Sequence, residues 1–178
     1  MLSVAQEKAL DSDISGMLFL RQKMQNIDLY GTIDTCICTL DSINHITNKD
    51  DVQKTFSRVS FFMNPEALFI FDVNTLYKHQ KVLGNNTFVY DTSKVYCVWQ
   101  NSLCRDNRTV DISLDFFQRD GDIYRRYSEN FMERAYTHTE ICEMLEKAGF
   151  RLLDVFGEMS FDKPSETSQR NFYIAKKL

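Results

Sequence analysis

The sequence contains no long hydrophobic run and no signal-peptide pattern. No apolar stretch in its 178 residues approaches the roughly 20 that a membrane-spanning helix needs. Residues 1–8 have neither the basic start nor the apolar centre of a signal peptide. The five cysteines are odd in number, and three lie within strand or helix patterns, as reduced intracellular thiols do. We therefore expect a cytoplasmic protein that has no membrane-spanning segment.

An excess of basic residues is also absent. The chain has 21 lysines and arginines against 25 acidic residues, a net charge of -4 and a pI near 5.4. Binding of nucleic acid by phosphate neutralisation needs a basic face, so the composition argues against a nucleic-acid partner. The 43% of hydrophobic residues suffices for the core of one globular domain.

Two apolar runs of similar pattern organise the predicted fold. The first lies in residues 33–46 and the second in residues 67–75, and each ends abruptly in polar residues. These polar residues are Asp41, Ser42, Asn44, Asp72, Asn74 and Thr75. A helical stripe lies between the runs, which predicts a parallel βαβ unit. In such a sheet, ligands bind beyond the carboxyl ends of the strands.

Periodicity predicts the other elements as well. Helices are expected at residues 1–10, from Thr47 to about Asn64, and after the capping box that starts at Thr137, with a short helix within residues 74–82. Strands are expected at residues 17–20, 150–155 and 171–175. Between residues 87 and 136 the pattern alternates, and Asp120-Gly121 marks a hairpin turn. We interpret 87–136 as an antiparallel sheet inserted into an α/β domain formed by 1–86 and 137–178.

Three segments together resemble a group of small bacterial class I S-adenosylmethionine-dependent methyltransferases. They are residues 38–46, residues 64–75, and Arg134-Ala135-Tyr136 with the capped helix that follows. In that group the fourth strand ends in a D-S-x-N-Y/H-like loop and the fifth in D-x-N-T/S. The resemblance implies a Rossmann-like doubly wound sheet of strand order 3-2-1-4-5-7-6, with an inserted antiparallel lid and S-adenosylmethionine bound across the middle.

Two parts of the family pattern are missing. No glycine precedes Gly16, so the glycine-rich loop after the first strand is absent, as is the acidic residue that ends the second strand. Met1-Leu2 resembles the pair that follows this acid in the family. We therefore expect a chain without strands one and two, the C-terminal part of a methyltransferase, that binds the cofactor weakly or not at all by itself.

The resemblance also assigns site residues. The expected cofactor-binding residues are Met1, Gln22, Lys23, Met24, Thr39 and Asp41, and the expected substrate residues are Asn44, His45, Asp72 and Asn74. Lys23 stands where the family has an aspartate that binds the adenine amino group. Because an ammonium group offers no acceptor, adenine recognition would pass to Gln22 and the Met24 backbone.

Each of these assignments has a structural alternative. Asp41 and Asn44 either face the ligands or cap their own turn, and His45 either takes a proton from a nucleophile or packs beneath the next helix. Asp72 and Asn74 either line the pocket or start the following helix. Aromatic residues of the insertion form either a lid wall or core; they are Tyr96, Trp99, Phe116, Phe117, Tyr124 and Tyr127. Cys36 and Cys38 fit buried strand cysteines better than a metal site.

The predicted function is methyl transfer to a small-molecule acceptor that the sequence does not identify. No catalytic residue is assigned, because the sulfonium of the donor is already reactive and positioning supplies most of the acceleration. The alternative is a remnant unable to bind the cofactor, which acts as a strand-sharing dimer or a small-molecule binding module. The apolar edge at residues 33–38 would be the interface of a homodimer.

Overall fold

A computed structural model describes all 178 residues, and its strands form two four-stranded sheets. The helices are α1 (Leu2–Asp11), α2 (Lys49–Phe62) and α3 (His138–Lys147). The strands are β1 (Ile33–Cys38), β2 (Met63–Asn74), β3 (Thr87–Asp91), β4 (Val95–Leu103), β5 (Thr109–Asp120), β6 (Ile123–Arg134), β7 (Phe150–Gly157) and β8 (Arg170–Lys177). A 3-10 turn covers Met24–Asn26 and a π-helical turn covers Lys78–Leu83. No helix is long and apolar enough to cross a bilayer.

The first sheet has the strand order β1-β2-β8-β7. β1 and β2 are parallel, with Cys36 opposite Phe69, and β8 is antiparallel to both of its neighbours. This is the 4-5-7-6 part of the expected strand order, so the predicted parallel βαβ unit and the absence of strands one and two are confirmed. The carboxyl ends of β1 and β2 consequently emerge on the same side of the sheet.

Helices α2 and α3 begin where the local signals predict. The Asn48 side chain accepts a hydrogen bond from the Asp50 N–H at 2.8 Å, and Thr137 and Glu140 form both bonds of a capping box. Phe56 on α2 is fully buried and meets the Phe69 ring edge-on at 5.6 Å. Burial of one such side chain contributes roughly 2–3 kcal/mol.

The second sheet is the predicted antiparallel one, in the order β3-β4-β5-β6. Along β5, Val110 and Ile112 are buried, as the alternating pattern requires. Asp120 still pairs with Ile123, so the hairpin loop consists of residues 121 and 122 rather than 120 and 121. Gly121 has φ +63° there, a value that glycine adopts without a Cβ clash.

The prediction of a strand at residues 17–20 is wrong. This segment has no regular structure, because no neighbouring strand offers it hydrogen bonds. β1 therefore lies at the edge of its sheet, and Ile37 is 65% exposed on it. The homodimer through this edge stays a prediction.

The two cysteines of β1 are half-buried. Burial raises the pKa of the Cys36 thiol, and burial together with Cys36 raises the pKa of Cys38 to about 11. Both groups are therefore protonated near neutral pH. The thiols of a metal-binding cysteine pair would have lowered pKa values. The raised pKa values and the partial burial therefore favour ordinary strand cysteines.

Candidate functional site

The polar residues that follow β1 and β2 meet at the carboxyl end of the first sheet. Leu40 and Asp41 both have positive φ, 59° and 50°, and this turn brings the chain back over the end of β2. The Asp41 N–H donates to the Asp72 carboxylate at 3.0 Å. The backbone thus places two acidic side chains from separate strands next to each other.

Asn44 joins this turn to the end of β2. Its side chain is fully buried and donates to the carbonyl oxygens of Asn74 at 3.1 Å and Arg134 at 2.9 Å. Its Oδ1 accepts from the Asn74 N–H at 2.8 Å. All its contacts are therefore with backbone groups, so Asn44 shapes the site and has no free polar atom for a substrate.

Two cations balance the acidic residues. Arg170, at the start of β8, lies 3.2 Å from an Asp72 carboxylate oxygen and 3.7 Å from an Asp41 carboxylate oxygen. Lys78 donates to the Asn74 Oδ1 at 2.9 Å. Burial, followed by the positive charge of Arg170, lowers the pKa of Lys78. The other Asp72 oxygen, Oδ1, is buried and has no hydrogen-bond partner.

His45 lies at the open side of this cluster. Its side chain is 43% exposed, and its Nε2 lies 3.6 Å from the Glu133 Oε1. The imidazole packs against the Phe131 ring on β6, with the centroids 5.1 Å apart. The alternative in which His45 packs beneath α2 is therefore wrong, because the ring contacts the second sheet and solvent instead.

Glu133 is the central residue that the sequence interpretation missed. It is 5% exposed, and its Oε2 accepts from the Asn74 side-chain amide at 3.1 Å. Burial, and then the negative charge of Asp41, raise the pKa of Glu133. Its position in the alternation of β6, in phase with Phe131, is the one sequence signal that could have identified it.

Two further polar contacts complete the cluster. The Asn74 side chain also donates to the Asp41 carboxylate, so the side chain of Asn74 contacts Asp41, Lys78 and Glu133. Thr75, by contrast, accepts from the Lys78 N–H at 3.1 Å and donates to the Ser168 carbonyl at 2.6 Å. Thr75 thus starts the following helical turn, whereas Asn74 belongs to the site.

The expected cofactor residues are not all brought together. Met1 is fully exposed at the start of α1, and the Gln22 amide bonds to the Asp28 backbone at 2.8 and 2.9 Å, which occupies the groups expected to bind adenine. Lys23 is exposed, and the exposed Thr39 accepts from the Ser42 hydroxyl at 2.7 Å. Of the expected set, only Asp41 lies in the cluster.

Gln22 and Met24 line a separate cavity of about 310 Å³. Its walls are mostly apolar and include Ile33, Val59 and Phe62. None of the residues of the polar cluster lines it. The structure therefore has an apolar cavity beside β1 and a charged cluster beyond its carboxyl end.

The aromatic residues of the second sheet divide between its two faces. By the strand registers, Trp99, Phe116 and Tyr127 share the face of Phe131 and Glu133. The remaining aromatics, Tyr96, Phe117 and Tyr124, lie on the opposite face. On the first of these faces, Trp99 and Phe131 pack against the buried residues Leu83, Val110 and Ile112, whereas Tyr127 is exposed.

Comparisons by sequence find methyltransferases along nearly the whole chain. No protein-family model matches it. A protein named "Putative methyltransferase YqeM" from Bacillus subtilis (strain 168) is 33% identical over 178 residues, which cover 99% of this chain and 71% of that protein. "Putative methyltransferase GWCH70_2453" from Geobacillus sp. (strain WCH70) is 29% identical and is covered to 72%.

Comparisons with solved structures agree. An S-adenosylmethionine-dependent methyltransferase from Clostridium acetobutylicum ATCC 824 superposes with a TM-score of 0.92 at 35% identity, over 99% of this chain and 70% of that one. The structure of SAM-bound CalS10, an amino pentose methyltransferase from Micromonospora echinaspora, superposes with a TM-score of 0.72 at 15% identity, over 99% of this chain and 72% of that one. At 15% identity, the comparison with CalS10 shows only that the two proteins share a fold.

Proposed function

Because this chain belongs to the S-adenosylmethionine-dependent methyltransferases, we propose that it methylates a small-molecule acceptor at a nitrogen or oxygen atom whose proton passes to His45. The observation that carries this proposal is the contact between the half-exposed His45 ring and the buried Glu133 carboxyl, 3.6 Å apart. Imidazole is the side chain best suited to accept a proton near neutral pH.

The charged cluster suits a cationic methyl donor. Asp41 retains 18% exposure of its side chain, so its carboxylate can face both solvent and a ligand. A positively charged ammonium or sulfonium group next to a carboxylate is stabilised more strongly in a partly buried site than in water. Asp41 is therefore the residue that would hold the charged end of S-adenosylmethionine.

The apolar cavity beside β1 suits the other end of that ligand. A purine ring needs apolar surface above and below it and few polar groups, and Met24, Ile33 and Phe62 line a cavity of about 310 Å³. The bound group would supply an electrophilic methyl on a positively charged sulfur.

The acceptor then approaches from the side of His45. The acceptor atom would take the methyl group from the sulfur of the bound donor and would lose a proton. His45 takes this proton, and Glu133 holds the ring from behind. The half-buried Phe116 and the exposed Tyr127 on the face of Phe131 favour an acceptor with a flat or apolar part, since such rings bind by burial of apolar area.

Calorimetric titration of the chain with S-adenosylmethionine tests the cofactor part of this proposal. We expect weak binding that Asp41→Asn weakens further, by about tenfold, which corresponds to roughly 1.4 kcal/mol for the lost charge contact. The matched control is Asp34→Asn, which changes an exposed aspartate at the start of β1. Equal binding by both variants would exclude Asp41 as the cation-binding residue, and absence of binding would support the cofactor-incompetent alternative.

A further inference from the structure

His79 is a buried histidine that the proposed methyl transfer does not use. It lies in the π-helical turn, is fully buried, and is one of only three histidines in the chain. Its Nδ1 lies 2.8 Å from the Arg108 carbonyl oxygen, in the loop between β4 and β5. Because a carbonyl oxygen only accepts, the Nδ1 of His79 carries a proton.

The other ring nitrogen of His79 faces Glu133. Nε2 lies 3.7 Å from the Glu133 Oε2 and has no hydrogen-bond partner although it is buried. In the neutral ring with a proton on Nδ1, this nitrogen is an acceptor. A carboxylate oxygen opposite it would leave two acceptors facing each other, which is costly away from water. One proton between the two atoms removes that cost.

The surroundings favour placing this proton on Glu133. The titratable groups that face Glu133 are Asp41, His45, Lys78 and His79. Burial and the Asp41 charge raise the pKa of Glu133, and they outweigh the opposite influence of His45, the Asn74 amide and Lys78. Protonation of Glu133 therefore relieves its repulsion with the partly buried Asp41 carboxylate.

The surroundings of His79 favour its neutral form. The charged groups that face it are Asp41, Lys78, Asp106 and Glu133. Burial is the largest influence and lowers the pKa of His79, against the opposing effect of its hydrogen bond to the Arg108 backbone. The surroundings thus favour a neutral imidazole on His79 together with a protonated carboxyl group on Glu133.

We propose that His79 is a positioning residue that holds the proton of Glu133, so that Glu133 faces His45 as a neutral carboxylic acid. The inference rests on the proposed function only in taking His45 as the base. The Glu133 Oε1, 3.6 Å from the His45 Nε2, then orients the ring without placing a fixed negative charge beside it. The separations of 3.6 and 3.7 Å are slightly longer than hydrogen bonds, and catalytic contacts commonly shorten when substrate binds.

Long-range ¹H–¹⁵N spectra of the labelled chain test the protonation states directly. Because there are three histidines, spectra of His45→Gln and His138→Gln assign all the rings. We expect His79 to keep its proton on Nδ1 and a bare Nε2 near neutral pH, because burial lowers the pKa of this ring from its ordinary value of 6.5. A proton on Nε2 near neutral pH would overturn the proposal.

A double-mutant cycle tests whether His79 acts through Glu133. The side-chain nitrogen of His79→Asn can replace Nδ1 toward the Arg108 carbonyl, but nothing replaces Nε2. Glu133 then ionises at lower pH, and the midpoint of the His45 ring titration rises by about one pH unit. Glu133→Gln alone, and the two changes together, leave that midpoint where it is in the unmodified chain.

The possible results separate the roles clearly. A structural role for His79 predicts a lower melting temperature for His79→Asn with no change in the His45 titration, and this would overturn the proposal. A fall in the midpoint by about one pH unit or more in Glu133→Gln would do the same, since it means that Glu133 is a carboxylate in the unmodified chain. If His79→Asn does not fold, the spectra of the unmodified chain decide alone. None of these measurements needs a methyl donor, so their outcome is independent of whether methyl transfer occurs.

Discussion

The side chain of Asn44 pairs with the backbone of Asn74 much as a neighbouring strand would. Its amide donates to the Asn74 carbonyl at 3.1 Å and its Oδ1 accepts from the Asn74 N–H at 2.8 Å. The same amide reaches the Arg134 carbonyl at 2.9 Å. One side chain thus joins the loop after β1, the end of β2 and the end of β6, so the geometry of the site depends on it.

Replacing Asn44 should destabilise the protein. Asn44→Ala leaves a buried N–H and buried carbonyls without partners, and we expect a loss of about 2 kcal/mol or more in the free energy of unfolding, measured by urea denaturation. The control is Asn130→Ala, which removes an exposed asparagine bonded only to the Ser113 hydroxyl and should change stability by less than about 0.5 kcal/mol. Equal effects of the two changes would contradict the role of Asn44.

The capping box of α3 should contribute measurably to stability. Thr137→Ala removes the acceptor of the Glu140 N–H bond, and loss of an N-cap costs about 1 kcal/mol. Thermal unfolding followed by circular dichroism would measure it. Thr139→Ala, an exposed position in the first turn of the same helix, is the matched control. A melting temperature that Thr137→Ala leaves unchanged would show that α3 is held by packing alone.

Removal of the proposed base should slow methyl transfer. We expect His45→Gln to lower the rate by about a hundredfold, with S-adenosylhomocysteine formation measured for a panel of small amines and hydroxylated aromatics. His138→Gln, which changes another exposed histidine that contacts Tyr173, should retain the rate. Equal rates for both variants would mean that His45 takes no proton.

The titration of Glu133 should appear in the pH dependence of stability. The folded state raises the pKa of Glu133 above its ordinary value of 4.5. The folded chain therefore binds this proton more tightly than the unfolded chain does. The stabilisation is complete below pH 4.5 and is lost as the pH rises through the raised pKa. Relative to the unmodified chain, Glu133→Gln should therefore become more stable as the pH increases from about 4 to 8.

Melting temperatures across this range would measure the difference. Glu129→Gln is the matched control, since Glu129 is an exposed residue of the same strand, and its curve should run parallel to that of the unmodified chain. A constant difference between Glu133→Gln and the unmodified chain at every pH would show that Glu133 has the same pKa in the folded and unfolded states.

Some elements of the fold could be predicted because their causes are local. The capping box at Thr137 acts within one helical turn, and the alternation along β5 follows from the two faces of a strand. The parallel pairing of β1 with β2 followed from two apolar runs separated by one helix. In contrast, residues 17–20 have a strand-like composition but no strand beside them, and composition alone does not report the missing partner.

The site was predictable only in part. The polar ends of β1 and β2 were identified because strand ends in a parallel pair must lie together, and Asp41, Asn74 and His45 do lie there. Glu133 and His79 were missed, because their meeting depends on how the second sheet packs on the first. Gln22 was assigned to adenine, but its amide bonds to the backbone of Asp28, six positions further along the chain, a contact that the sequence does not reveal.

By itself, the sequence determined which segments form helices and strands and which pairs of polar residues end neighbouring strands, since capping and alternation act over a few residues. Only the tertiary structure decided which side chain each polar group meets. Glu133 lies 88 residues from His45 along the chain, yet their side chains approach within 3.6 Å. Such contacts, and the burial that changes the pKa of Glu133 and His79, arise from the packing of one sheet on another, to which residues far apart in sequence contribute together.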